Sequence, residues 1–420
     1  MSVSTKTETI LRRIDGSTVG SDRRRYRSWS DIALNVWGIL VLLFLFAPII
    51  VIVVYSFNTG RLLVSFDGFG LDAFATILNK PAVQNAVRIS LIVAVISAII
   101  ATVLGTLAGI AMARFPGKWV GWFLVLLLLV SVTPEIVDAV SLLPWYVFLG
   151  QDMGITAFND GIVRLSIGSS LFATAVVSYI VRARLVGQEA NLEEASADLY
   201  ARPLKTFFKV TLPLVFPAVS TGAIICFVLA IADFGTPAIL GRGFRTLSTI
   251  AYSAYTSELG GTPTMAVTVS LVMMAISVIA LLIQRRILSK RRYASSLTNR
   301  PVIHKLTGMR NVLVHVYCYA VVLIAMAPAL VVIYTSFLET NGPVFTGNFG
   351  LTSYQRVLAD SLPAVINSFK FSLAAVALIA VASGLISYLI VRRESAVSGA
   401  IDVLMMVPYL VPGVVMAIGF

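Results

Sequence analysis

Charged side chains are scarce in this sequence. Asp, Glu, Lys and Arg make up 12% of its 420 residues, against about 25% in water-soluble domains, and 58% are apolar, against about 45–50%. That imbalance excludes a water-soluble fold, because no interior of this size hides so much apolar surface. Cysteine and histidine are nearly absent. Cys226 and Cys318 lie singly inside apolar runs and read as small buried hydrophobes. With only His304 and His315 beside them, the chain carries no metal-ligand cluster. It also lacks a Gly-x4-Gly-Lys-Ser/Thr phosphate loop, so ATP hydrolysis is not expected of it. The first thirty residues are polar and Arg-rich without an apolar core, which describes a cytoplasmic tail rather than a signal peptide. The formal net charge is +12, but the basic residues form short clusters between apolar runs. That placement excludes a nucleic-acid-binding face and fits membrane topology.

Apolar runs dominate what remains. A spanning helix needs about 20 apolar residues to cross about 30 Å of hydrocarbon. Runs of that kind predict nine spans, near 34–57, 86–113, 119–143, 164–183, 212–232, 264–284, 312–337, 367–391 and 399–420. Proline interrupts the third and the ninth. Arg23, Arg24, Arg25 and Arg27 precede the first span and place the N-terminus in the cytoplasm. Arg114 and Lys118, then Arg182, Arg184, Arg202, Lys205 and Lys209, then Arg285, Arg286, Lys290, Arg291 and Arg292, then Arg392 and Arg393 all fall on that same side. The loops at 58–85, 144–163, 233–263 and 338–366 carry few positive charges, so one orientation satisfies every loop.

The chain repeats itself at an offset of about 280 residues. Ala47-Pro48 and Tyr55-Ser56-Phe57 return as Ala327-Pro328 and Tyr334-Thr335-Ser336-Phe337. Phe69-Gly70-Leu71 returns as Phe349-Gly350-Leu351; Asn85, Arg88, Ser90 and Leu91 return as Asn367, Lys370, Ser372 and Leu373; Pro134 and Val137 return as Pro412 and Val415. Six spans separate the copies, an even number, so both enter the membrane in the same direction, as a parallel repeat about an axis along the membrane normal. The expected architecture is therefore all-α: a basic tail at 1–33, a six-helix domain at 34–290, a cytoplasmic linker at 291–311, and about three helices of a second parallel copy at 312–420. Phe420 corresponds to a point near residue 142 of the first copy, so the second copy is expected to be incomplete.

The most polar internal stretch on the cytoplasmic side is 186–211. Glu189, Glu193, Glu194 and Asp198 load a short helix with acid, which complements the dipole near a helix N-terminus. Ala195, Ser196 and Ala197 keep its surface low enough for close approach of another protein. Pro203 disfavours helix at Arg202, so a turn is expected near 200–203. A second short basic and aromatic helix, 204–210, leads into the fifth span. A helix–turn–helix lying on the membrane surface suits docking into a groove on a partner.

These residues carry a resemblance. Glu194-Ala195-Ser196 and, at the kept spacing, Val210-x-Leu212-Pro213 resemble the coupling motif of ATP-binding-cassette (ABC) importer permeases: Glu-Ala-Ala, three residues, Gly, nine residues, Ile, one residue, Leu-Pro. Ser196 replaces the second alanine, and Tyr200 stands at the turn glycine, where a positive φ would strain it. The resemblance covers the first copy and the preserved part of the second. It implies a permease subunit without its own ATPase site, whose motif helix sits in a cleft of a separate cytoplasmic ATPase dimer that binds the ATP. It further implies an extracytoplasmic solute-binding protein that delivers the solute, and membrane lipid as the surroundings, with no cofactor on this chain. Glu193, Glu194, Ala195, Ser196, Asp198, Tyr200, Val210, Leu212 and Pro213 are the candidate coupling residues.

Charge at membrane depth costs about 2.5–3.5 kcal/mol on insertion scales, which makes each such residue a functional candidate. Glu135 and Asp138 lie in the third span beside Pro134, and Asp233 ends the fifth beside Gly235 and Pro237. All three are expected toward the outer half, as a solute path or as interfacial and helix-joining polar groups. Arg88 and Lys370 read as snorkelling side chains. Acids in the path favour a cationic solute. Tyr55-Ser56-Phe57 and Pro134-Glu135-Ile136 resemble polyamine permeases. Asp233-Phe234-Gly235-Thr236-Pro237-Ala238 and the two-copy layout resemble ferric-iron permeases, to which the reading leans; thiamine and aminoethylphosphonate permeases are related. An ion-gradient-driven secondary transporter is the alternative, though it gives no reason for the 192–213 motif. A membrane-embedded enzyme using the Glu135 and Asp138 carboxylates, three apart on one helix face, is the third.

Overall fold

The computed structural model describes residues 29–60, 66–115, 117–186, 191–256, 263–289, 308–342, 344–392, 396–405, 408 and 411–419. The tail and its arginines, Glu189, the greater part of the linker with His304, Lys290, Arg291, Arg292 and Arg393, and Phe420 lie outside these residues. Seven helices are long and apolar enough to cross a membrane, or eight if a bent pair counts as one span. The architecture is an all-α polytopic membrane bundle.

Helix α1 (Trp29–Ser56) carries Pro48 inside it, and α2 (Asp72–Leu78) is a short surface turn. Helix α3 (Pro81–Arg114) begins with Pro at its first position, where the missing N–H is no loss. The third expected span is broken. Helix α4 (Lys118–Val132) stops before Pro134, α5 (Glu135–Val147) starts after it, and the two bend by 96°. Pro134 is extended at φ −64°, ψ 138°, and its carbonyl accepts the Val137 and Asp138 N–H groups instead of continuing α4. Next come α6 (Gly161–Val186), α7 (Asn191–Asp198) and α8 (Pro203–Thr206), the last running through a single π turn into α9 (Leu212–Ala232). Helices α10 (Gly235–Leu240), α11 (Leu247–Thr256) and α12 (Pro263–Ser289) follow.

The remainder holds α13 (Gly308–Ser336), the antiparallel strands β1 (Leu338–Asn341) and β2 (Val344–Phe349), α14 (Thr352–Asp360), α15 (Leu362–Arg392), α16 (Ala396–Met405) and α17 (Gly413–Gly419). The ninth expected span is therefore two short helices rather than one long one. Neither reaches spanning length, and proline again lies between them, at Pro408 and Pro412. The small hairpin was not expected in an all-α chain. It sits in a loop outside the apolar runs and pairs Thr340 with Phe345 and Asn341 with Val344.

Helix packing centres on α3, α6 and α9. A Cβ added at Gly105 of α3 would lie 2.6 Å from the Cβ of Val177 and 2.7 Å from the Thr174 carbonyl of α6. One at Gly109 would lie 2.8 Å from the Ser178 carbonyl, and one at Gly222 of α9 would lie 3.2 Å from Val177. Val177, fully buried, is thus held between glycines of two helices. Small residues matter more in lipid than in water, since no hydrophobic force drives helices together there and close packing must do it.

At two points the structure recurs with the sequence repeat. Gly70 donates its N–H to the Phe57 carbonyl at 2.8 Å, and Gly350 does the same to Phe337 at 2.8 Å. The Phe57 and Phe74 rings lie 5.3 Å apart at 43°; those of Phe337 and Tyr354 lie 5.5 Å apart at 42°. Packing across the repeat is reciprocal. Helix α13 lies on α4 and α5, with Cys318 and Val322 against Phe123 and Leu127, and α1 lies on α16 and α17, with Ile49 and Ile52 beside Val415 and Ile418.

Overpacking the α3–α6 seam should be costly. Gly105→Val is expected to lose the monodisperse detergent-solubilised species, or at least to lower its thermal midpoint clearly, since filling a tight contact costs about 1–3 kcal/mol or more. Gly121→Ala in α4, whose Cβ would meet nothing within 4 Å, should leave the melting curve unchanged or slightly raised. Equal behaviour of the two variants would contradict the packing described.

Candidate functional site

The 191–213 loop is built from a short helix whose first turn holds Glu193 and Glu194. Adjacent helix positions diverge by about 100°, so the two carboxylates take different roles. Glu193 turns inward. Its Oε1 lies 2.5 Å from Nη2 of Arg114, the last residue of α3, and accepts the Thr211 hydroxyl at 2.8 Å. The two side chains of the ion pair are only 5% and 11% exposed. Ser196 and Thr206 join α7 to α8 through their hydroxyls at 2.8 Å. Glu194, Ala195 and Asp198 remain exposed. Asp198 ends the helix, where its charge opposes the dipole rather than complementing it as in the first turn. Val210 and Thr211 close the π turn, and Leu212 and Pro213 open α9.

The expected turn falls at 199–202 and has a defined form. Tyr200 N–H donates to the Ala197 carbonyl at 2.9 Å and Ala201 N–H to the Ser196 carbonyl at 3.1 Å, which is the Schellman pair of bonds closing a helix C-terminus. That motif requires a left-handed residue, and Tyr200 has φ 56°. A side chain in that region costs roughly 1–2 kcal/mol relative to glycine.

At the other end of α9 the three acidic candidates lie within electrostatic reach of one another but make different contacts. Asp233 is 5% exposed and is held within the bundle. Its carboxylate accepts the Ser169 hydroxyl at 2.7 Å and the Thr236 N–H at 3.0 Å, and its carbonyl accepts the Ser248 hydroxyl at 2.6 Å. It joins α6, α10 and α11. Glu135 instead lines a cavity of about 290 Å³ with Val228, Leu229, Ala232 and Phe234 on one side and Val411 to Val414 on the other. Asp138, one turn further along α5, is half-buried and outside that lining. Gly235 lets α10 meet the start of α5, since a Cβ there would lie 3.1 Å from the Ile136 N. The Phe234 ring contacts Tyr252 at 4.6 Å. Among the described residues, no three His, Cys, Asp or Glu side chains come together in a metal-binding arrangement.

Sequence reasoning passed over Arg114, read only as a topology charge, Phe234, read only as part of a longer string, and Gly413, which it did not single out. A single basic residue ending one helix, opposite an acidic loop, was the signal available for Arg114.

The Arg114–Glu193 pair should be testable by stability. Nε and Nη1 of Arg114 have no hydrogen-bond partner among the described residues, so Glu193 carries its compensation. Glu193→Ala leaves a buried charge and is expected to cost about 3–5 kcal/mol, read as a lower thermal midpoint. Arg114→Met combined with Glu193→Leu should recover most of that loss. A double variant no more stable than Glu193→Ala would show that the pair is not what holds the loop.

The sequence profile described as binding-protein-dependent transport system inner membrane component matches residues 105–293. The chain is 31% identical over 255 residues to the putrescine transport system permease protein PotI of Escherichia coli (strain K12), covering 59% of this chain and 89% of that one. It is 29% identical over 239 residues to the spermidine/putrescine transport system permease protein PotC of the same strain, covering 56% and 88%. It is 25% identical over 281 residues to the putative ferric transport system permease protein FbpB 1 of Haemophilus influenzae, covering 65% of this chain and 44% of that relative. With spanning helices, a polar loop between α6 and α9 and this degree of likeness over most of a relative's length, the chain belongs to the binding-protein-dependent inner-membrane components, the multi-pass permease subunits of ABC importers.

Proposed function

We propose that this chain forms the translocation path of an importer for an organic cation of the polyamine class, driven by a separate ATPase that docks on the 191–213 loop. The observation that carries the reading is one continuous element. Residues Leu204–Ala232 form a single 29-residue run, about 43 Å long at 1.5 Å per residue. Its first turns belong to the loop, and its last residues, Val228, Leu229 and Ala232, are a wall of the cavity. A displacement of the loop is therefore delivered to the cavity along one helical run, through the π turn at Phe207–Thr211 and past Pro217. The Glu193 bonds to Arg114 and Thr211 tie α3 into the same movement.

On the two-copy reading, the six-helix part and the three-helix part of the second copy rock against each other, with the cavity between them. Glu135, directly after Pro134, and Pro412–Gly413 at the matching repeat position border it. An outward-facing binding protein delivers the solute, and the N-terminus lies in the cytoplasm by the positive-inside rule. The solute assignment rests on Glu135 as the charged lining residue, with Phe234 in the same lining. A carboxylate and an aromatic ring together suit an ammonium group. The two polyamine-named relatives, matched over most of their length, support the same class. Ferric iron, favoured from sequence, becomes the second reading, supported by the likeness to the ferric-named relative over 65% of this chain.

Tagged chain purified in mild detergent should bring down an ATPase subunit, and Glu194→Arg, a charge reversal at an exposed loop position, should release or weaken it. Failure of any ATPase to accompany the unmutated chain under conditions that preserve membrane complexes would sink the coupling reading. In cells, Glu135→Gln should cut uptake of labelled putrescine about 10- to 100-fold, matching the ~1.5–3 kcal/mol of a charge-assisted contact, with the ATPase still bound. Uptake abolished by a proton uncoupler while ATP stays high would favour the secondary transporter instead.

A further inference from the structure

We infer that Tyr200 is an anchor residue by which the loop holds its ATPase, inserting its ring into an apolar pocket of that partner. The inference rests on the coupling reading above and adds a residue to it. At this point of the resembling motif the turn residue is glycine, and the left-handed geometry explains why: Tyr200 has φ 56° and closes a Schellman turn that glycine closes without strain. Among the described residues nothing packs over the tyrosine, which is 95% exposed. Its apolar neighbours are exposed too: Leu199 at 81%, Leu204 at 74% and Phe208 at 61%. Leu204 and Phe208, four apart, share one face of the helical run.

Charge surrounds this apolar centre. The exposed acids Glu194 and Asp198 lie on the α7 side, and the exposed bases Arg202, Lys205 and Lys209 lie on the other. An aromatic centre within a charged rim is the anatomy of a protein-contact hot spot. The occupant that fits is an ATPase surface with an apolar pocket, a basic edge facing Glu194 and Asp198, and an acidic edge facing the three bases. Lipid is a poorer occupant. The 29-residue run is about 43 Å long and exceeds the ~30 Å hydrocarbon layer, which leaves its first turns, beside the acidic α7, in the aqueous zone.

The test compares Tyr200→Gly, Tyr200→Asn and Tyr200→Phe with Glu194→Arg, reading the ATPase recovered per tagged permease and the permease's thermal midpoint. Gly and Asn both accept a positive φ, so either keeps the turn without the ring. The expected result is at least tenfold less ATPase with Gly and with Asn, at an unchanged or higher thermal midpoint, and near-normal recovery with Phe. If Gly and Asn retain the ATPase while Glu194→Arg releases it, the anchor role is overturned and the coupling loop stands. If every variant retains it, the coupling reading falls and takes the anchor with it. If Phe loses as much as Gly, the ring is not the contact and the proposal fails.

Discussion

Val177 sits where three helices meet, and the bundle depends on that meeting. Helices in hydrocarbon gain nothing by hiding apolar surface from a solvent that is itself apolar. They hold together where backbones approach closely, and here Gly105 of α3 and Gly222 of α9 leave the notch that Val177 of α6 fills. Hydroxyls pointing across the seam reinforce it, as in Ser97 bonding to the Ser166 carbonyl at 2.9 Å. Once α3, α6 and α9 are set, the loop between α6 and α9 has its ends fixed, and Arg114 at the end of α3 is positioned beneath it.

The second constraint is the interrupted backbone at Pro134. An irregular segment at membrane depth is tolerated where it is buried in protein or lines a cavity, because exposed peptide groups find no partner in lipid. Here it does line one. Pro134 ends α4, Gly235 admits α10 against the restarted helix, and Glu135 is brought to the cavity wall. Asp233, 98 residues further along the chain at the end of α9, is spent on joining three helices instead. Two carboxylates with similar sequence prospects thus have different surroundings, one joining helices and one lining a cavity.

A third constraint acts at the loop. Glu193 and Glu194 are neighbours in sequence, yet one is locked to Arg114 and Thr211 while the other faces outward. The locked residue makes the loop a lever rigidly joined to two membrane helices, and the free one is left for contact. Tyr200 departs from the glycine that local geometry favours, so the turn retains strain that no contact among the described residues offsets.

Much of this was legible in the residues. Apolar run lengths located the long helices because the bilayer sets their minimum length. Proline marked the break in the third span because it cannot donate the bond that would continue a helix. The repeat was legible because polar and proline positions recur in order, and Pro203 placed the turn near Tyr200. Other features depended on neighbours distant in sequence. Nothing local separates Glu193 from Glu194, or Glu135 from Asp233. Their roles were decided by which helix lay opposite: α3 with Arg114 in one case, α6 and α11 with Ser169 and Ser248 in the other. The final division follows from range. Periodicity, proline and apolar length act over a few residues and are carried by the sequence itself. The burial of a charge, and the cavity between Glu135 and Val411 to Val414, arise from contacts between residues far apart along the chain, and only the packed bundle determines them.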